Sequence, residues 1–276
     1  MRENGLKTVT YKSPHTGLRV LLCLLLGAII VLVSLRVQAH LGIPAPISMR
    51  PAASAAPRGE DSARASQELA LSAHSLYALQ LGAFTQESAA RQLAQEYVSR
   101  GAAGYVYHDG EAWRVLAAAY PTRAEAQGVQ TRLAAQNIST YIHPCIQDAL
   151  RLRVGGTERQ VGAFGETLGY LDGLGEKLYA LSLSLDNREV EAADARAALL
   201  SEGTTCAALA STLSAAFEGE TPAALAPLAQ TLSALSEEAQ HLPADAGAAR
   251  VGAALKRCQL VVFFGLASFV GTAGGA

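Results

Sequence analysis

Two consecutive strand–helix–strand units of matching layout occupy residues 75–146, and no other feature of the chain restricts its fold as strongly. The first begins Tyr77-Ala78-Leu79-Gln80-Leu81-Gly82-Ala83-Phe84, continues as a helix over 85–100, stops at Gly101 and ends in Gly104-Tyr105-Val106-Tyr107. The second repeats the plan with Trp113-Arg114-Val115-Leu116-Ala117-Ala118-Ala119-Tyr120, a helix after Pro121-Thr122, and Ser139-Thr140-Tyr141-Ile142-His143. Thr85 offers an N-cap to the first helix, with Glu87 in its first turn, and Ala89, Leu93 and Tyr97 recur at i+4 to make a buried stripe. Thr122-Arg123-Ala124-Glu125 is a capping-box pattern for the second helix, whose Ala126, Val129 and Leu133 face inward. Asp109-Gly110 between two alternating runs is a hairpin signal that makes the strands of Tyr105 and Arg114 antiparallel neighbours. The predicted fold is α+β: a β-α-β-β-α-β unit with a four-stranded antiparallel sheet and both helices on one face.

Side chains alternate across a strand, so period two sorts this sheet by face. Leu79, Leu81, Val106, Trp113 and Val115 form the apolar set under the helices, which leaves Gln80, Tyr105, Tyr107, Arg114 and Leu116 on an uncovered face. Such a face is suited to binding, although an ordinary solvated sheet surface carries the same residue types.

The 276 residues leave room for about two domains plus extensions. With 22 basic against 24 acidic residues, no global field draws in nucleic acid. Residues 20–35 form an uncharged apolar run, and Arg19 and Arg36 extend it by snorkelling toward a bilayer span. Arg2, Lys7, Lys12 and Arg19 precede it, so the N-terminus is expected in the cytoplasm and the bulk of the protein outside. The competing reading is a cleaved signal peptide ending near Val37-Gln38-Ala39, which also places the body outside. The expected organisation is a cytoplasmic tail (1–18), a transmembrane helix (19–37), a Pro/Ala/Ser-rich flexible linker (38–74), the repeat module (75–150) and a helical domain (156–276). A short helix over 61–73 is compatible with the end of that linker.

Ala- and Leu-rich segments over 158–185, 188–218, 221–241 and 245–270 predict an antiparallel helical bundle. In the last of them, Leu260-Val261-Val262-Phe263-Phe264-Gly265-Leu266 is apolar on all sides, as befits a central bundle helix or, alternatively, a second membrane contact. Cys145, Cys206 and Cys258 have no metal-ligand spacing, and no cofactor is implied. A Cys206–Cys258 bridge and buried free thiols both remain open readings.

The central module resembles the SPOR domain, a small peptidoglycan-binding module of bacterial cell-division and sporulation proteins. The likeness rests on Gln80-x-Gly82-Ala83-Phe84, the Glu87/Ala89/Leu93 helix ending at Gly101, Trp113-Arg114-Val115, and Thr122-x-x-Glu125-Ala126. The resemblance implies an RNP-like fold, binding of glycan strands stripped of stem peptides, and the arrangement of tail, span, linker and extracytoplasmic domain. It carries a glycan-binding role to Gln80 and Arg114, and with them Tyr105, Tyr107, Leu116 and Ile142. The chain departs from the family pattern at Ala83, where many members have a hydroxyl residue, and at Ala118-Ala119-Tyr120, in place of a frequent Gly-Pro-Phe.

A non-catalytic role is expected. Glu166, Asp172, Glu176 and Asp186 could in principle form an acid pair, but they lie in a continuous helical pattern where charges mark the solvated face. The alternative function is a protein-interaction scaffold, in which the sheet face and the bundle dock cell-envelope partners.

Overall fold

The computed structural model describes residues 64–274, which lie within one compact unit spanning residues 58–276. The expected cytoplasmic tail and transmembrane helix, and most of the expected linker, fall outside the described residues. In order, the elements are β1 (Arg64–Leu71), β2 (His74–Phe84), α1 (Glu87–Val98), β3 (Tyr105–His108), β4 (Trp113–Tyr120), α2 (Arg123–Ala134), β5 (Tyr141–Gln147) and β6 (Leu150–Thr157). Four longer helices follow: α3 (Glu158–Asp186), α4 (Ala192–Ala216), α5 (Ala226–Gln240), which a single 3-10 turn precedes, and α6 (Ala248–Gly274).

The central sheet has the order β3-β4-β2-β5 with every pair antiparallel, in agreement with the expected β-α-β-β-α-β unit. Asp109 Oδ1 accepts from the backbone N–H groups of Glu111 and Ala112, closing the hairpin that sets Tyr107 opposite Arg114. Leu79, Ala117 and Ile142 pack with Ala126, Val129 and Leu133 of α2. Val115, Leu81, Val106 and Trp113 pack with Ala90, Leu93 and Ala94 of α1. The Thr122 capping box forms as expected. At the start of α1 the N-cap is Gln86, without a side-chain bond, so Thr85 does not take that place.

One pairing was not foreseen. β1, at the end of the expected linker, pairs antiparallel with β6. The register is that of β2 with β5: His74 faces Gln147, and beyond the break at Ser72 and Ala73, Leu71 faces Leu150. The two ladders therefore form one long ribbon that leaves the sheet and lies on the helices. Leu69 and Leu71, with Leu150, Leu152 and Val154, pack against the helical core, while Arg151 and Arg153 are exposed. The Leu-Arg-Leu-Arg-Val alternation of β6 carries that signal in the sequence. Its partner lies so far away along the chain that local composition around residues 61–74 reads as a linker.

The four long helices close into a ring in which α3 packs on α4 and α6, and α5 on α4 and α6. This is the expected bundle, with a shared core of Leu171, Leu178, Leu199, Leu232, Leu255 and Phe269 among others. Cys206 and Cys258 are both free thiols inside it, and burial pushes the Cys206 thiol up to about 11. The apolar girth of α6 has a specific cause. Val251, Leu255, Cys258, Val262 and Leu266 face the bundle, while Leu260 and Phe263 face Ala78, Leu116, Ala119 and Cys145 of the sheet. α6 is long and apolar enough to cross a membrane, but 56% of its apolar window is buried within the fold. Polar staples fix it there: Arg257 Nε donates to the Ala103 carbonyl at 2.8 Å, and Lys256 bridges the Gly101 carbonyl and Asp186.

Helix crossings in the bundle depend on missing side chains. A Cβ on Gly203 of α4 would lie 2.4 Å from the Ala239 Cβ, and one on Gly265 of α6 only 1.9 Å from Thr231 Oγ1. By contrast, Gly128 on the exposed side of α2 has open space around it. Gly203→Val is expected to lower unfolding free energy by about 1–3 kcal/mol through overpacking. Gly128→Ala is expected to raise it by about 0.4–1 kcal/mol by restricting the unfolded chain. Urea denaturation of both variants checks the pair, and a Gly203→Val midpoint equal to wild type would refute the close crossing.

Candidate functional site

The sheet face opposite α1 and α2 carries Gln80, Tyr105, Tyr107, Arg114 and Leu116, as the alternation predicts, but it is not uniformly open. α6 lies across part of it. Leu116 is fully buried in the cluster with Leu260 and Phe263. Phe264 stacks on Tyr105 at 5.2 Å between ring centroids and meets Tyr107 at 4.5 Å. Tyr105 is half-buried by this contact, and burial raises its hydroxyl pKa to about 12. Leu116 thus serves the core in this arrangement, and the Tyr105 ring face is taken by Phe264.

Ile142 falls on the other face. It stands opposite Leu79 in the β2–β5 ladder, and directly paired residues share a face, so it packs with Ala117 and Ala126 under α2. The expected place for Ile142 among the open-face residues is corrected accordingly. The residues of β5 that do reach the site are Tyr141, opposite Gln80, and His143, opposite Ala78. The alternation that turns Ile142 under α2 turns both of them to the open face.

Beyond the edge of α6 a polar patch remains accessible. Arg114 Nη1 donates to Gln80 Oε1 at 3.0 Å, and its Nε donates to Asp109 Oδ2 in an ion pair. The two hairpin N–H groups and Arg114 hold the Asp109 carboxyl well below the usual carboxylate range. The guanidinium is therefore held in place between two acceptors, while no bond among the described residues uses Gln80 Nε2. Tyr141 beside them is 62% exposed, and Ala83, opposite Arg114, is exposed as well. The patch offers a fixed donor fork, an amide and an aromatic ring, which suits a ligand bearing hydroxyl or amide groups and a flat apolar face.

Between patch and helix, Tyr107 and His143 Nε2 form a hydrogen bond of 2.9 Å. Burial first, then the Arg114 guanidinium, lowers the His143 pKa, while burial raises Tyr107 to about 12. Both shifts favour the uncharged forms of the two partners.

A four-stranded antiparallel sheet with two helices on one face and a polar, aromatic patch on the other defines a small ligand-binding module. Residues 73–143 match the family model of the SPOR domain, so the chain carries a SPOR domain, a peptidoglycan-binding module associated with cell division and the cell envelope. No curated protein and no solved structure matches the chain.

The depressed His143 pKa has a pH consequence. A histidine whose folded pKa lies below its ordinary value of 6.5 contributes stability that is complete above that value and is lost as pH falls through the folded pKa. The melting temperature is expected to fall as pH drops below 6.5, and to fall less in His143→Gln, whose amide keeps a hydrogen-bonding group opposite Tyr107. Equal acid slopes in both proteins would remove His143 as the source.

Proposed function

We propose that this protein is a membrane-anchored, extracytoplasmic glycan-binding protein, and that Gln80, Arg114 and Tyr141 form the part of the SPOR sheet face that meets denuded peptidoglycan strands. The observation that carries the reading is the Asp109–Arg114–Gln80 chain of bonds on a sheet face within the matched domain. Arg114 has donors beyond those it spends on Asp109 and Gln80, and these can reach sugar hydroxyl and N-acetyl oxygens. The exposed Tyr141 ring gives a platform for the apolar face of a sugar. Tyr107 borders the site and orients His143, while Tyr105 and Leu116 act through the packing of α6.

The role is non-catalytic. Of the four acids considered as a hydrolytic pair, Asp172 is held by Ser72 and His74, and Asp186 is paired with Lys256. Glu166 and Glu176 are exposed on α3. The membrane anchor at 19–37 and a role in division or sporulation belong to this proposal through the sequence reading and the family match.

The test is sedimentation of the full-length chain with intact sacculi and with amidase-treated sacculi. Binding should rise on stem-peptide removal and fall about tenfold or more in Gln80→Ala/Arg114→Ala, since bonds to a charged donor contribute about 1.5–3 kcal/mol. Tyr141→Ala should weaken binding, while Tyr105→Phe, altered beneath Phe264, should bind like wild type. Failure of the wild-type chain to bind either preparation would end the glycan reading in favour of a protein partner on the same face.

A further inference from the structure

At the far end of the same sheet face, away from the Arg114 patch, α3, α6 and the start of β2 enclose a cavity of about 400 Å³. That is within the size range of small-molecule sites, roughly 300–1,000 Å³. Val262, Phe263 and Leu266 give it a buried floor on α6, while Tyr179 and Leu183 line it from α3, with Leu183 43% exposed where the cavity opens. Counted from Gln259, the α6 residues fall at i, i+3, i+4 and i+7, so Gln259 belongs to the same lining stripe.

Gln259 is the observation that points to a ligand. It is the only side chain with a nitrogen or oxygen atom between Arg257 and Ser268, in a stretch otherwise apolar. The residue is 3% exposed, yet no bond among the described residues uses its amide. Both amide atoms keep accessible surface, and the residue lines the cavity. A buried amide without partners is costly, and a partner can reach this one from the cavity. The other polar groups make no such demand. Gln147 Nε2 donates to the Ser72 carbonyl and its Oε1 has no accessible surface, Asp172 is held by Ser72 and His74, and Glu176 is exposed.

We infer that this cavity binds a primary carboxamide carried on an apolar body, its amide paired with that of Gln259 and its body lying along α3 and α6. Either orientation of the Gln259 amide presents an acceptor and a donor side by side, and a second primary amide matches both at once. A carboxylate or a ketone only accepts, and an ammonium only donates. The carboxylate also meets the negative charge of Asp172 and Glu176 along the wall. A neutral group avoids carrying charge onto an apolar floor. A free apolar amide and the amidated end of a peptide share this chemistry. The site is separate from the proposed glycan patch and stands without it.

Isothermal titration of the full-length chain tests the site with octanamide, its isosteric ketone methyl heptyl ketone, octanoate, octylamine and N-acetyl-leucinamide. The tighter of the two amides should bind about fivefold more tightly than the ketone and about tenfold more tightly than octanoate or octylamine, as expected for one and two neutral hydrogen bonds. Tighter binding of octanamide would assign the site to free apolar amides, and tighter binding of N-acetyl-leucinamide to amidated peptide ends. Gln259→Leu should abolish the preference for amide and leave the melting temperature at or above the wild-type value, because an apolar group of similar size replaces an unpartnered buried amide. Ala180→Trp, on the cavity wall, should weaken amide binding severalfold by occupying the space. A Gln259→Leu protein that melts below wild type would show that the amide serves the fold, and would overturn the inference. So would failure of both amides to bind, equal binding of the ketone, octanoate or octylamine, an unchanged preference in Gln259→Leu, or unchanged amide binding in Ala180→Trp. Sacculus binding by Gln259→Leu should stay at the wild-type level, so loss of one activity is distinguishable from loss of the other.

Discussion

The burial of α6 on two sides is the constraint on which the rest of the structure depends. One face completes the ring of helices and the other covers part of the SPOR sheet, so one 27-residue helix contributes different side chains to two hydrophobic clusters. Neither partner could tolerate a polar stripe there, and the sequence supplies Leu260, Phe263 and Phe264 on one side and Leu255, Val262 and Leu266 on the other. A helix apolar all round and enclosed by protein is the physical outcome. It also makes the module and the bundle one body. Arg257 reaches the Ala103 carbonyl and Tyr179 donates to Glu125 at 3.3 Å, adding polar contacts around the apolar seam.

The long ribbon gives the junction a second tie. Because β1 and β6 keep the register of β2 and β5, the strands entering and leaving the SPOR module cannot slide without turning Leu69, Leu71, Leu150 and Leu152 out of the helical core. At the break in this ribbon, Ser72 and His74 both bond Asp172 of α3, and Gln147 bonds the Ser72 carbonyl. The bend, the bundle and the sheet thus meet in one polar knot beside an apolar cavity. The polar atoms of that knot are fixed by the fold rather than by the side chains' own preference.

What could be read from the sequence was what local physics decides. The capping box of Thr122 and Glu125, the Asp109-Gly110 hairpin and the sorting of Leu79 from Gln80 each depend on residues close along one segment, and the structure contains them all. The four bundle helices follow from their own periodicity in the same way. Ile142 and β1 differ because each is decided by a partner in another segment. Ile142 takes its face from Leu79, and β1 is a strand because β6 presents Leu150, Leu152 and Val154 at matching positions. The apolar run in α6 was visible, but its second partner, the sheet face itself, could not be deduced from a helix pattern. That is also why the site looked open in sequence and is partly covered in the fold.

The division of the sheet face changes what kind of binding it supports. On the covered part, a ligand would have to displace Phe264 from Tyr105 and Tyr107 and expose Leu260 and Phe263, losing apolar burial at about 25 cal/mol per Å². At the Arg114 end nothing need move. Asp109 and Gln80 already hold the guanidinium, whose rotamer freedom, of order 2 kcal/mol when unrestrained, is largely spent in folding rather than on association. Affinity there would come from a few directed bonds and one ring, and such a set is modest for a single contact. A long repeating polymer compensates for modest single contacts, because a rigid, pre-set site can engage any equivalent unit along the strand.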